Sequence, residues 1–266
     1  MTSAQFVGIS SLVLTVSLFN TDLMRADESV EEEKRRAAIA AILQVGGHIR
    51  VVVPQPTVDR LERLTISAID LREAKVDNAL LLHVGNLTEV RRLDLSNAEI
   101  DDIGLAQISH LPLRELWLQS TKITDVSADT ISRMKTLDFL QLNSTDVTDV
   151  FLDELTSMPK LADLGLRGTF VTGKGMDYLS RHPKLKKLDV YHTSVDDDGV
   201  AFLSNCKTLT FVGLSKTKIT DKALEHLAKL PNLTRTDLSA NRRVTDEAIS
   251  AFQKAQPDCN VEGGAK

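Results

Sequence analysis

Apolar residues recur in a fixed order along most of this chain, and the order repeats every 24 residues. Each copy follows the pattern L-x-x-L-x-L-x-x-T-x-I-T-D, with related residues at some positions. The first apolar position of successive copies is occupied by Ile66, Val90, Leu113, Leu137, Leu161, Leu185, Leu209 and Leu233. The one irregular step, of 23 residues, lies between Val90 and Leu113. Such a period is typical of a solenoid that uses one strand and one helix per copy.

Within a copy, the apolar spacing changes from strand-like to helix-like. In the fourth copy, Leu140 and Leu142 are two residues apart, as in a strand with one buried face, whereas Leu152 and Leu155 follow at helical spacing. A single copy cannot close its own core, so neighbouring copies must stack. The sequence therefore predicts an α/β horseshoe, with a parallel β-sheet on the concave face and helices on the convex face.

The start of the array can be read in two frames. Leu61, Leu64 and Ile66 match the apolar pattern, but so does the frame that starts at Ile66. The second frame continues through Val76 and Leu87 without an insertion, and we prefer it. The array is expected to span residues 61–262, including a C-terminal cap, and to leave a short tail at 263–266.

The N-terminal residues resemble a secretory signal. Residues 1–21 carry no charged side chain, and the apolar run from Phe6 to Phe19 is shorter than the roughly 20 residues that span a bilayer. We expect residues 1–26 to be a leader that is cleaved after Ala26 during export. Because no Lys or Arg precedes the apolar run, an uncleaved membrane anchor and a cytosolic leader remain alternatives.

Residues 27–60 are expected to form an N-terminal cap. Asp27 to Val45 has a helical pattern that ends at a Gly-Gly pair, and His48 to Val53 reads as a strand that Pro54 stops. A solenoid needs such a unit to cover the first exposed face of its core. The alternative is a charged linker helix that does not dock.

Charge and cysteine content narrow the possible classes. The formal net charge is −5 and the basic residues are dispersed, which argues against a nucleic-acid-binding surface. Cys206 and Cys259 lie about two copies apart, so strand spacing places them roughly 10 Å from each other. A disulfide requires Cα atoms within about 7 Å. We expect two free thiols.

Two recurring polar positions are expected to belong to the scaffold. A threonine follows the strand in the middle copies and can bond main-chain groups that the sheet does not reach. These residues are Thr121, Thr145, Thr169, Thr193 and Thr217. Thr-Asp pairs at 124–125, 148–149, 220–221 and 245–246 suit helix starts, because Thr is a good N-cap and Asp interacts favourably with the helix dipole.

These copies resemble leucine-rich repeats, and their T-x-I-T-D helix start is similar to the cysteine-containing subclass found in F-box proteins and in many bacterial proteins. Thr stands here where that subclass usually has Cys. The resemblance covers about three quarters of the chain. It implies recognition of a protein through the concave sheet, without naming a partner. Residues 27–60 are too short for an F-box domain.

Strand residues between the buried leucines are expected to face the concave surface in three columns. The middle column is Asp70, Asp94, Trp117, Gln141, Gly165, Asp189, Gly213 and Asp237. The column nearer the strand start is Ala68, Arg92, Glu115, Phe139, Asp163, Lys187, Phe211 and Arg235. The column nearer the strand end is Arg72, Ser96, Gln119, Asn143, Arg167, Tyr191, Ser215 and Ser239. Trp117 and Phe139 fall on neighbouring copies there, and Tyr191, His192 and Phe211 are expected to form a second aromatic group. Gly165 and Gly213 flank Asp189 and are expected to leave a shallow floor over exposed backbone. We predict that a partner binds Trp117, Phe139, Tyr191, His192, Phe211, Asp189, Lys187 and Arg167. The alternative is that the aromatic residues only pack on one another.

The sequence offers little for catalysis. His192 could approach Asp189 and Asp163, but no nucleophile, metal-spaced second histidine or oxyanion loop accompanies them. We expect no enzyme activity, cofactor or metal. The predicted function is an exported module that binds a protein or peptide, with no nucleic acid as partner and a membrane only if the leader is uncleaved. The alternative is an intracellular adaptor that recruits substrates to an enzyme complex. The sequence leaves the oligomeric state open.

Overall fold

The structure is a computed structural model that describes residues 12–14, 30–52 and 65–263. Some of the predicted features lie outside the described residues. They are most of the leader with its cleavage position, Pro54, the competing frame at Leu61 and Leu64, and residues 264–266. Within the described ranges, no helix combines the length and apolar character that crossing a membrane requires.

The described strands form one open sheet in which each strand lies beside its neighbours in sequence. The strands are β1 (Leu12–Leu14), β2 (His48–Val52), β3 (Thr65–Asp70), β4 (Arg92–Asp94), β5 (Glu115–Trp117), β6 (Phe139–Gln141), β7 (Asp163–Gly165), β8 (Lys187–Asp189), β9 (Phe211–Gly213), β10 (Arg235–Asp237) and β11 (Asn260–Glu262). From β3 to β11 all pairs are parallel, whereas β1–β2 and β2–β3 are antiparallel. The repeat predicts only the parallel part, because β1 and β2 precede the first copy.

Helices line the convex side, and all of them except α1 connect consecutive parallel strands. They are α1 (Val30–Gln44), α2 (Asn78–Val84), α3 (Asp102–Ala106), α4 (Ala128–Ser132), α5 (Asp149–Leu155), α6 (Gly175–Ser180), α7 (Asp197–Leu203), α8 (Asp221–Leu227) and α9 (Asp246–Ala255), with a 3-10 turn at Asp125–Ser127 before α4. Each helix from α4 to α7 packs on the next one along the array. The α/β solenoid predicted from the repeat is confirmed.

Strand register confirms the preferred repeat frame. Leu140 pairs with Leu164, one copy later, and Ala68 pairs with Arg92, as the frame that starts at Ile66 requires. The first apolar residue of all eight copies is buried. In the fourth copy, Leu140, Leu142 and Leu152 are fully buried. At about 1.5–3 kcal/mol for each buried leucine, the stacked cores supply most of the stabilisation.

The segment predicted as the N-terminal cap contains α1 and β2. Ala38 and Ile42 of α1 are buried, and α1 packs on α2. Arg35 of α1 also forms an ion pair with Glu89, at 3.1 Å between Nε and Oε1. This segment therefore packs against the first copy.

The recurring threonines bond the main chain as the sequence predicts. In each of the five, the hydroxyl donates to the carbonyl oxygen three residues earlier, at 2.6–2.7 Å. Asn241 takes the place of threonine in the last copy and donates to the carbonyl oxygens of Leu214 and Leu238. In six copies, a side chain therefore donates a hydrogen bond to a main-chain carbonyl oxygen where the chain leaves the strand.

The helix starts also match the prediction. Thr124, Thr148, Thr220 and Thr245 each occupy the N-cap position and accept a hydrogen bond from a first-turn main-chain N–H. Asp196 does the same, accepting from the N–H of Gly199 at 3.1 Å. The acidic run that begins at Asp196 is accordingly a helix cap.

Candidate functional site

The concave face carries the three columns of strand residues. Register places Trp117 between Asp94 and Gln141, and places Phe139 between Glu115 and Asp163. The leucines that alternate with them point into the core. The face is rigid because each strand bonds a neighbour on either side, and its chemistry resides in the side chains between the leucines.

Trp117 and Phe139 form the aromatic pair expected from their positions. Their ring centroids are 4.7 Å apart at an interplanar angle of 46°, and both side chains are half-buried. Within the described part of the chain, the indole N–H of Trp117 has no hydrogen-bond partner. The pair packs together and still presents ring surface and one donor to solvent.

The predicted second aromatic group is only partly assembled. Tyr191 and His192 meet edge-on with centroids 5.9 Å apart, and the guanidinium of Arg167 lies 5.9 Å from the tyrosine ring centre. Phe211 instead contacts Arg235, whose guanidinium carbon lies 5.5 Å from its ring centre. Among the described residues no ring contact joins Phe211 to Tyr191. That part of the prediction is wrong, because Phe211 stands in the column nearer the strand start.

His192 lies at the corner where the chain leaves its strand. Its φ is 56°, in the left-handed region that most residues avoid. The same corner has positive φ at Asn97, Ser120, Ser144, Gly168, Lys216 and Ala240. His192 therefore occupies a structural turn position, and its ring lies beside Tyr191 at the edge of the concave columns.

The charged candidates are held by partners within the face. The Nη2 atom of Arg167 lies 2.5 Å from Oδ2 of Asp189. Oδ1 of Asp189 accepts a hydrogen bond from the main-chain N–H of Tyr191 at 3.1 Å. Only 14% of the Asp189 side chain is exposed. Its hydrogen bond to Arg167 raises the pKa of that guanidinium. Asp189 thus positions Arg167 and the turn, and offers little surface of its own.

Lys187 is similarly paired. Its Nζ lies 3.3 Å from Oδ2 of Asp163 on the preceding strand. Burial raises the pKa of the Asp163 carboxyl, and the hydrogen bond from Lys187 opposes that shift. The ammonium group is exposed and still accessible to a partner.

The two glycines of the middle column do not expose the backbone. Both are buried, and a Cβ built on Gly165 would collide with the side-chain amide of Gln141. A Cβ on Gly213 would lie 2.8 Å from Oδ1 of Asp189. The prediction of an open floor is therefore wrong, because longer side chains of the preceding copies lie over both positions.

Histidine and carboxylate groups do not assemble into a metal site in the described ranges, where no group of three or more potential ligands occurs. Asp163 and Asp189 bond Lys187 and Arg167 rather than His192. On the convex side, His182 is buried and its Nε2 bonds the carbonyl oxygen of Met158 at 2.9 Å. Cys206 and Cys259 are buried free thiols, and burial raises the pKa of each.

Two glutamines on this face were not among the residues predicted to bind. Gln141 Oε1 accepts from the side chain of Asn143 at 2.8 Å, which leaves its NH₂ group without a partner in the described structure. The amide of Gln119 has no partner there either. The sequence places both glutamines beside Trp117 and Phe139. Neutral amides, however, lack the aromatic or charged character by which binding anchors are usually recognised.

A ridge of exposed apolar side chains, which the repeat pattern does not predict, lies at three helix starts. Ile103, Val126 and Val150 occupy the same first-turn position in three consecutive copies and are 71%, 76% and 67% exposed. They lie at helix starts, away from the concave columns.

Comparison with known proteins identifies the fold. No family model and no curated protein matches the chain. Among solved structures, an internalin (inlF) from Listeria monocytogenes aligns with a TM-score of 0.51 at 18% identity, over 70% of this chain and 57% of that one. An internalin C2 from the same organism aligns with a TM-score of 0.55 at 23% identity, over 70% of this chain and 77% of that one. The chain thus spans little more than half of the first protein. Together with the repeat and the sheet, these matches show that it has the leucine-rich repeat solenoid fold.

Proposed function

We propose that the chain is a non-enzymatic recognition module that binds a protein or peptide on its concave face, between the third and seventh copies. The observation that carries this proposal is the Trp117–Phe139 pair. Two aromatic side chains that stack across neighbouring strands, half exposed and with a free indole donor, have the character of binding anchors.

The scaffold beneath the pair favours binding. The strands are bonded on both sides from β3 to β10, so the anchors are held in place before a partner arrives. Preorganisation of this kind lowers the entropic cost of association. Tyr191, backed by Arg167, supplies a third ring two strands beyond Phe139.

A binding role also agrees with how the acidic groups are used. Asp189 bonds Arg167 and the turn at Tyr191, so it does not orient the imidazole of His192 as a catalytic carboxylate would. The charged side chains of this face support its own geometry.

We further propose that the protein is exported. Support comes from the uncharged N-terminal residues and the apolar run from Phe6 to Phe19. The second candidate, an intracellular adaptor, is favoured only by the likeness of the helix starts to the F-box subclass. N-terminal sequencing of the natural protein separates them, because a start near residue 27 supports export and an intact Met1 supports the adaptor.

The binding proposal is tested with a double variant, Trp117→Ala with Phe139→Ala. A library of displayed random dodecapeptides is selected on the immobilised wild-type protein, and the enriched peptides are measured against the variant. Affinity should fall at least about tenfold, with a melting temperature within about 4 °C of wild type.

The matched control removes exposed apolar surface elsewhere, by Val126→Ala with Val150→Ala on the convex-side ridge. This control should bind the peptides as wild type does. Equal loss of affinity in both double variants, or unfolding of the concave variant alone, would contradict a role of the pair in recognition.

A further inference from the structure

We propose that the concave face selects an uncharged, extended polypeptide segment of about four or five residues, through neutral side chains and without charge complementarity. This inference rests on the proposed function and specifies the chemistry of the partner. Three features of the face support it: neutralised charge, unbonded neutral groups, and the distance between those groups.

The charges of the columns neutralise one another from β3 to β10. Every cation of the three columns has an ion-pair partner on this face or its continuation in β11. The pairs are Arg72 with Asp70 and Asp94, Arg92 with Glu115, Arg167 with Asp189, Lys187 with Asp163, and Arg235 with Glu262. The one column anion in β3–β10 without an ion pair, Asp237, accepts the main-chain N–H of Ser239. The columns therefore present no patch of a single sign to steer a charged ligand.

The groups that remain unbonded are neutral. From β5 to β8 they are the indole N–H of Trp117, the amide of Gln119, the NH₂ group of Gln141 and the hydroxyl of Tyr191, for which the described structure shows no hydrogen-bond partners. Amide and hydroxyl groups bond well to the N–H and C=O groups of a peptide main chain. The exposed rings of Trp117 and Phe139 suit an aliphatic or aromatic side chain.

The spacing of these groups indicates an extended segment. They lie on or just after β5, β6 and β8. Three strand spacings, or about 14 Å, separate β5 from β8. An extended chain covers that distance in about four residues. In the middle column, β7 contributes only Gly165, and the Gln141 amide lies across that position, so β7 adds no side chain of its own to that column.

The test examines what the selected dodecapeptides contain and how their binding responds to salt. Enriched peptides should share a short core of uncharged residues with one large apolar side chain. Their dissociation constants should change less than about twofold between roughly 0.05 and 0.5 M salt, because interactions between exposed charges are the ones that salt screens.

Two variants separate the possible outcomes. Gln119→Ala with Gln141→Ala should weaken binding by about threefold to tenfold. Arg92→Gln, which removes the column cation paired with Glu115, should leave binding within about twofold. Acidic or basic peptides that depend on Trp117, weaken steeply with salt and respond to Arg92→Gln would overturn this inference while leaving the proposed function in place. Failure to enrich any peptide that depends on Trp117 and Phe139 would overturn both.

Discussion

Asp125 bonds Thr148 of the next copy through both of its carboxylate oxygens. Oδ1 accepts the main-chain N–H of Thr148 at 2.8 Å, and Oδ2 accepts its hydroxyl at 2.6 Å. Asp102, Asp149, Asp197 and Asp221 do the same for the threonine at the corresponding position of the next copy. Asp125, Asp149 and Asp221, which belong to three of the four Thr-Asp pairs, thus link copies in addition to interacting with the helix dipole.

Replacing Asp125 with alanine should weaken the array at this link. The change removes two hydrogen bonds and leaves the N–H of Thr148 without its acceptor, so the free energy of unfolding should fall by about 1–3 kcal/mol. Urea denaturation monitored by circular dichroism measures the loss. Asp146→Ala is the matched control, because Asp146 is exposed and its side chain makes no hydrogen bond in the described structure. Equal effects of the two changes would contradict the link.

The chain avoids placing two carboxylates in one link. Where Asp101 replaces the capping threonine, the preceding copy has Asn78, whose amide donates to Oδ1 of Asp101 at 2.7 Å. Where Asp196 replaces the capping threonine, the preceding copy has Gly173, which brings no second carboxylate to repel it. The hydrogen bond from Asn78 is the main reason that the pKa of Asp101 is lowered. Donor and acceptor are therefore matched between consecutive copies.

Asn78→Asp tests this matching without a change of size. Two ionised carboxylates would then face each other, so the melting temperature at pH 7 should fall by about 5 °C. The loss should disappear near pH 3, where one of the carboxyl groups is protonated. Adding Asp101→Thr should restore the temperature at pH 7, because it recreates the Asp–Thr link of the other copies. A loss that persists at pH 3 would instead indicate a steric effect.

His182 should make the protein sensitive to acid. Burial lowers its pKa, with the hydrogen bond to Met158 opposing that shift, and its Nδ1 accepts the N–H of Lys184 at 3.3 Å. Protonation of Nδ1 would break this hydrogen bond from Lys184. Because the folded-state pKa lies below the unfolded value of about 6.5, the stabilisation is present above pH 6.5 and lost as the pH falls through the folded value.

The variant His182→Met isolates this contribution, since Met134 and Met158 occupy the same position in other copies. Relative to wild type, its free energy of unfolding should rise as the pH is lowered from about 7.5 to 5. A difference between the two proteins that stays constant over this range would show that His182 does not titrate differently in the folded state.

His192→Gly should stabilise the fold. A left-handed corner is unfavourable for histidine, and glycine already occupies the same corner as Gly168. Allowing for the greater freedom of glycine in the unfolded chain, we expect a gain of about 0.5–1 kcal/mol by urea denaturation. Ala240→Gly at the last corner should give a similar gain. A loss of stability only at His192 would mean that its contact with Tyr191 outweighs the backbone strain.

How well the sequence predicts a structural feature depends on how far apart along the chain the interacting residues lie. The roles of Leu140 and Thr145 are predictable because their environments recur in most copies and depend on residues a few positions away. The covered floor at Gly165 was missed because it depends on the length of Gln141, one copy earlier. The columns give the position of Phe211 along its strand but not where its ring points, so its contact with Arg235 is not predictable from the repeat. The antiparallel start at β2 lies before the repeat and has no periodic signal.

The fluorescence of Trp117 tests the central claim most directly, because it is the only tryptophan in the chain. A selected peptide is titrated into the wild-type protein while indole emission is recorded, and the dissociation constant is compared with that from calorimetry. Binding over the Trp117–Phe139 pair predicts a saturable blue shift with the same dissociation constant by both methods. Binding by calorimetry with unchanged Trp117 emission would contradict the proposed site.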